Sequence, residues 1–167
     1  YARYYGQTAD YKRENYYVHY NRNIWRFTIG SNGCVNTGHS SRIQTYSWQW
    51  SYGMDHHPSN ELILYGSDWR GQRLTRVQMN PQRNGTFQIR NVGRYGQTAS
   101  KTGNVRMYGP WGVTVDKTNN RVLVTTYYKQ SVQAFDLNLN FDKEFGGSHG
   151  TRMTGAHEAI QSIVTDS

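Results

Sequence analysis

Residues Tyr108–Gly147 read YGPWGVTVDKTNNRVLVTTYYKQSVQAFDLNLNFDKEFGG, and they set the pattern for the whole chain. A short apolar run, Trp111–Val115, ends on Asp116 and is followed by the turn cluster Lys117–Asn120. Arg121–Thr126 is rich in β-branched residues, which favour a pleated, half-buried strand. The polar connection Tyr127–Gln130 leads into Ser131–Leu137, where Val132, Ala134 and Asp136 alternate with Ser131, Gln133 and Phe135. Phe141–Phe145 makes one more short strand, closed by Gly146-Gly147. Four short strands within about 40 residues, joined by turns and lacking a helical period, describe one blade of a β-propeller.

The run resembles the NHL repeat. Gly109-Pro110-Trp111-Gly112-Val113, Val115-Asp116, Asn120-Arg121-Val122, Val132-Gln133-Ala134-Phe135-Asp136 and Phe145-Gly146 carry the likeness. The resemblance implies an all-β propeller of NHL type, in a family whose rings are commonly six-bladed.

With Trp111–Asp116 as a ruler, Trp50-Ser-Tyr-Gly-Met-Asp55 matches through the same Trp and Asp. Tyr5–Asp10 matches more weakly, and Gln161–Asp166 matches again at the end. The matches begin about 45 to 61 residues apart, which is blade spacing. The expectation is three four-stranded blades, near 5–49, 50–110 and 111–160, in one propeller segment, with 161–167 supplying the inner strand of a fourth. Three blades alone would leave apolar faces and strand edges in water. Further blades, from the same longer chain or another subunit, are therefore expected to close the ring. The chain starts at Tyr1, with no initiator Met or leader, and is expected to be processed, trimmed or partial.

Composition bounds the function. A hydrophobic fraction of 35% is low for a compact domain, but 14% aromatic residues, 14 of them Tyr, supply large buried areas. No apolar run is long enough to span a membrane as a helix. The lone Cys34 excludes an internal disulfide framework and a cysteine zinc site. A formal net charge of +8 suits an anionic partner, either RNA or an acidic glycan, or a protein with an acidic face.

In a propeller, the turns between second and third strands share a rim with the blade-to-blade connections. That rim collects Arg22, Arg42, Arg70, Arg94, Lys101, Arg106, Lys129 and Arg152, with His39, His149 and His157 beside them. Trp69, Tyr127 and Tyr128 add flat faces next to these cations. Basic groups interleaved with aromatics form the footprint of a polyanion with stackable rings. The opposite rim is mixed in sign, with Lys12, Arg13, Glu14, Glu61, Arg83, Lys117 and Asp142. The resemblance points the same way, because NHL propellers of tripartite-motif ubiquitin ligases bind RNA on a basic face, while others bind proteins.

The ligand-binding candidates are thus Arg22, Trp69, Arg70, Arg94, Lys101, Arg106, Tyr127, Tyr128, Lys129, His149, Arg152 and His157. An extracellular carbohydrate-binding propeller is the alternative, and Asn84-Gly85-Thr86, a glycosylation sequon as well as an Asn-Gly turn, would suit it. A third reading is the zinc-dependent amidating lyase, an NHL-like propeller with histidine-bound metal in its channel. His157 lies near an inner strand, but the corresponding sites before Trp111 and Trp50 hold Met107-Tyr108 and Tyr46-Ser47, and the pair His56-His57 falls on the opposite rim. No catalytic constellation, metal site or cofactor motif is expected. The repeated Asp10, Asp55, Asp116 and Asp166, each ending an inner strand, are expected to accept hydrogen bonds from turn amides.

Overall fold

The computed structural model describes residues 6–10, 12–20, 22–44, 52–93, 107, 109–128 and 130–146. These residues contain no helix and form three four-stranded antiparallel sheets. The first is β1 (Gln7–Ala9), β2 (Asn15–Tyr20), β3 (Asn23–Ile29) and β4 (Val35–Gln44), the second β5 (Met54–His56), β6 (Ile63–Asp68), β7 (Arg73–Met79) and β8 (Thr86–Val92). The third is β9 (Pro110–Asp116), β10 (Arg121–Thr126), β11 (Ser131–Asp136) and β12 (Phe141–Gly146). Each sheet is a meander in sequence order, and β1 lies against β5 and β5 against β9. Sheets whose first strands stand side by side are propeller blades around a common axis.

Alternation along each strand makes the core. Val122 and Val124 on β10 and Phe135 on β11 point toward the second sheet, where Ile63, Tyr65, Leu74 and Val92 receive them. Tyr17, Ile24 and Ile43 of the first sheet meet Met54, Leu64, Val77 and Met79 in the same way. Burying each of these side chains contributes about 1.5–3 kcal/mol, so the interfaces between sheets are the hydrophobic core. The Tyr65 hydroxyl crosses to the third sheet and donates to the Leu137 carbonyl at 2.8 Å. Burial pushes its pKa up to about 12.

Strand register gives the phase of the repeat. Gln7 lies opposite Val18, Met54 opposite Gly66 and Val113 opposite Val124. Counted from these pairs, Gly6, Gly53 and Gly112 are equivalent, and so are Thr8, Asp55 and Thr114. Asp116 therefore corresponds to Asp10 and His57, not to Asp55. The expected match of Trp50–Asp55 to Trp111–Asp116 is two residues out of step, and Tyr52-Gly53 is the true counterpart of Trp111-Gly112.

The physical reason is packing near the axis. A Cβ on Gly53 would lie 2.3 Å from the Val113 nitrogen and 2.6 Å from the Trp111 carbonyl oxygen, so the inner strands touch backbone to backbone there. The Ser67 hydroxyl accepts from Gly53 N–H at 3.0 Å and donates to the Trp111 carbonyl at 2.6 Å, and Thr125 accepts from Gly112 N–H at 2.8 Å.

Two of the repeated aspartates do what the sequence suggests. Asp10 accepts from the Glu14 and Asn15 amides at 2.8 and 3.2 Å, and Asp116 from the Asn119 amide at 3.0 Å. Asp55 sits mid-strand and binds to the neighbouring inner strands instead: its Oδ2 accepts from the Val115 amide of the next one at 2.7 Å. Thr8 of the preceding inner strand donates to its Oδ1 at 3.3 Å. Asp166 lies outside the described residues.

Candidate functional site: an aromatic rim between two blades

The turn between second and third strands is two residues long in the first sheet and four in the other two, but all three end the same way. Arg22, Gln72 and Gln130, each just before the third strand, adopt left-handed φ values of 64°, 54° and 52°. In the second sheet this turn is stapled from below. Asp68, fully buried, accepts from the Gly71 amide at 2.9 Å and holds the Arg73 guanidinium by two nitrogens, both at 2.9 Å. Both nitrogens converge on Oδ2 while Oδ1 takes the Gly71 amide, so each carboxylate oxygen is held from a different side. The staple aims the two intervening residues, Trp69 and Arg70, outward at the rim.

Trp69 is the centre of the site. Its ring lies 5.1 Å from Trp111, 5.8 Å from Tyr52, 5.4 Å from Tyr127 and 5.4 Å from Tyr128. Tyr52 and Trp111 stack face to face at 3.9 Å across the junction of the second and third sheets. Tyr127 and Tyr128 meet edge to face at 5.1 Å. Such offset and T-shaped pairs suit the ring quadrupoles and add about 0.5–1.5 kcal/mol each beyond buried area. The cluster is thus a rigid platform. Tyr128 stands at its top with 66% of its surface open, and Arg70 is exposed beside it.

Gly109 makes the platform possible. With φ at +64°, it passes under Trp69, and a Cβ there would lie 2.5 Å from Trp69 Cζ3. Its amide donates to Gln72 Oε1 at 2.6 Å, its carbonyl accepts from Tyr127 N–H at 2.7 Å, and Gln72 Nε2 donates back to the Trp69 carbonyl. One glycine therefore ties together both turns that carry the rings.

Of the predicted site residues, the structure brings Trp69, Tyr127 and Tyr128 into one cluster, with Arg70 in the same turn as Trp69. Arg22 is exposed on the equivalent turn of the first sheet, on the same rim. Arg94, Lys101, Arg106, Lys129, His149, Arg152 and His157 lie outside the described residues. Tyr52, Trp111, Gln72 and Gly109 were not among the expected ligand-binding residues. The readable signal for the first two was the aromatic-Gly pair that opens each inner strand.

Three cations on the opposite rim, Lys12, Arg83 and Arg121, are engaged by acids. Arg83 binds Glu61 at 2.8 Å and approaches Asp10 at 3.9 Å, Lys12 reaches Glu61 at 3.5 Å, and Arg121 reaches Asp142 at 3.4 Å. His56 and His57 turn to separate partners, Asp55 at 3.2 Å and the Ser59 amide at 3.1 Å. No group of three or more His, Cys, Asp or Glu placed to hold a metal occurs among the described residues. Asn84 is exposed in the β7–β8 turn, its Oδ1 accepting from Asn80 Nδ2 at 2.8 Å.

No protein-family model matches this chain, and no curated protein matches it by sequence. Solved structures do match, and they are β-propellers. Virginiamycin B lyase from Staphylococcus aureus aligns with a TM-score of 0.60 and 14% identity over 89% of this chain and 43% of that one. The PQQ domain of pyranose dehydrogenase from Coprinopsis cinerea aligns at 0.59 and 17% identity over 82% and 35%. A protein from Lactobacillus plantarum aligns at 0.61 and 7% identity over 87% and 42%. The likeness shows the propeller fold, and this chain spans under half the length of each.

Proposed function

We propose that this protein is a non-enzymatic recognition propeller of NHL type that binds an anionic macromolecule, RNA in the first place, through the aromatic rim. The observation that carries the reading is the five-ring platform of Tyr52, Trp69, Trp111, Tyr127 and Tyr128, with Arg70 exposed beside it. A fixed aromatic face stacks on an unpaired base at about 1–3 kcal/mol, and a neighbouring guanidinium takes the phosphate. Arg22 extends the rim by one blade, and by sequence the loops holding Arg94, Lys101, Arg106, Lys129 and Arg152 add further cations. Further blades, from the same polypeptide or another subunit, complete the ring that carries the rim. Asn84 is proposed as a glycan acceptor where the chain enters a secretory route.

Fluorescence anisotropy with a labelled single-stranded RNA tests the reading. Counterion release predicts that affinity falls by orders of magnitude between about 50 and 200 mM salt, and Tyr128→Ala should weaken binding about tenfold or more. Absence of RNA binding, or affinity unmoved by both salt and Tyr128→Ala, overturns it. Selective binding of an acidic polysaccharide or a protein to the same rim would replace RNA as the ligand.

A further inference from the structure

On the opposite rim the third sheet carries a cavity of about 360 Å³, between the β9–β10 and β11–β12 turns. Its wall holds Asn119, Asn120 and Asn140, its charged lip Arg121 and Asp142, and one side is the ring of Phe141. We propose that this cavity binds a single neutral saccharide unit of pyranose size.

The amides are oriented before any ligand arrives. Asn119 Nδ2 donates to Asp116 Oδ2 at 2.8 Å. Asn140 is held from two sides: its Nδ2 donates to Asp136 Oδ2 at 2.7 Å, and its Oδ1 accepts from Arg90 Nη2, reaching over from the second sheet, at 2.8 Å. An amide fixed by one hydrogen and one lone pair still presents its second hydrogen and second lone pair. That combination of planar donors and acceptors is what vicinal hydroxyls, each both donor and acceptor, can satisfy. Phe141 leans edge to face on Phe135 at 5.7 Å, so its ring is fixed as well and offers an apolar surface to the C–H face of a sugar.

Charge selects against anions. The cavity is lined by the carboxylates of Asp136 and Asp142 and the guanidinium of Arg121, while Arg90 and Asp116 lie one hydrogen bond behind its amides. An anion would meet more carboxylate than guanidinium, whereas the hydroxyls of a neutral ring can use both as acceptors and donors. Arg121 and Asp142, 37% and 41% exposed, keep donors and acceptors turned to solvent although they lie 3.4 Å apart. The volume is at the small end of the roughly 300–1,000 Å³ of small-molecule sites, enough to seat one sugar ring.

Saturation-transfer NMR on the full chain tests this with methyl α-mannoside, methyl β-galactoside and N-acetylglucosamine at millimolar concentration, against glucuronate and glucosamine as charged controls. At least one neutral sugar should receive saturation. The double variant Asn120→Gly/Asp142→Ala should weaken that sugar about tenfold or more, a change of one decade in Kd. Glycine keeps the left-handed turn at position 120, where φ is 53°, and Asp142 is exposed, so thermal melting should confirm an intact fold. Arg121→Lys, which keeps charge but loses the planar fork, should weaken it too. Tyr128→Ala should leave it unchanged, which separates failure here from failure of the RNA reading. The inference is overturned if no neutral sugar receives saturation, if the charged controls bind better, or if binding survives both variants.

Discussion

Asp55 shows how one side chain can be read correctly for its chemistry and wrongly for its place. As an acceptor of backbone hydrogen bonds it behaves as expected, but it serves neighbouring strands rather than its own turn. Burial raises its pKa, yet hydrogen bonds from the His56 ring and from the Val115 and His56 amides outweigh that and hold the carboxyl below its ordinary value. A carboxyl depressed by folding contributes stability above its unfolded pKa, and that contribution is lost as pH falls through the lower folded value. Thermal melts should therefore show Asp55→Asn destabilised at neutral pH by about 1–3 kcal/mol, the range for disturbing a buried hydrogen-bonded group. The gap between wild type and variant should narrow below about pH 4, where an unfolded Asp begins to protonate. A gap that stays constant from neutral pH to acid would show that the carboxylate's charge is not what ties the strands.

At the scale of elements, most strands were legible because alternation and turn chemistry agreed. Arg121–Thr126 is found where the sequence placed it, and Ser131–Leu137 and Phe141–Phe145 each end within one residue of β11 and β12. The phase of the middle repeat was not. Trp50 and Asp55 share identities with Trp111 and Asp116 by coincidence, whereas the position under physical constraint is the glycine whose missing side chain lets inner strands touch. β4 was also hard to see, since VNTGHSSRIQ is polar and an outer strand needs little apolar alternation. The turns carry their own test. Gly109→Ala puts a methyl group into Trp69 and asks a left-handed φ of an L residue, so it should cost about 1–3 kcal/mol in chemical denaturation. RNA affinity should fall with it, because the platform must tilt to make room. Unchanged stability and affinity would mean that Trp69 is not seated on this glycine.

For the molecule as a whole, blade topology fixes which turns share an end, and Arg22 and Arg70 are exposed on equivalent turns. Arg42 and His39, expected beside them, lie instead within β4, because that outer strand runs further than its polar sequence suggests. Arg94, Lys101, Arg106, Lys129 and Arg152 fall outside the described residues. Residues as distant in sequence as Trp69 and Tyr128 were rightly grouped. Tyr52 and Trp111 were overlooked because a ring that opens an inner strand reads as packing between blades. Trp111 does pack there, against Tyr52, and the stacked pair is also the floor of the platform. The two rims should answer differently to charge reversal. Arg70→Glu/Lys129→Glu should weaken a polyanion about tenfold or more, with a shallower salt slope, since each lost phosphate contact removes about one from that slope. Lys12→Glu/Arg83→Glu should leave RNA affinity unchanged and lower the melting temperature, because it sets acids against Glu61 and Asp10. Equal losses of affinity from both pairs would remove the assignment of a binding face.

The bond from Val115 N–H to Asp55 has a consequence beyond stability. β9 is the terminal strand of its sheet, and a terminal strand with bare amides invites another polypeptide to add itself there. By occupying one of those amides from the adjoining blade, Asp55 interrupts the ladder an incoming strand would need. The same carboxylate that joins two blades therefore also leaves one bare amide fewer on that edge.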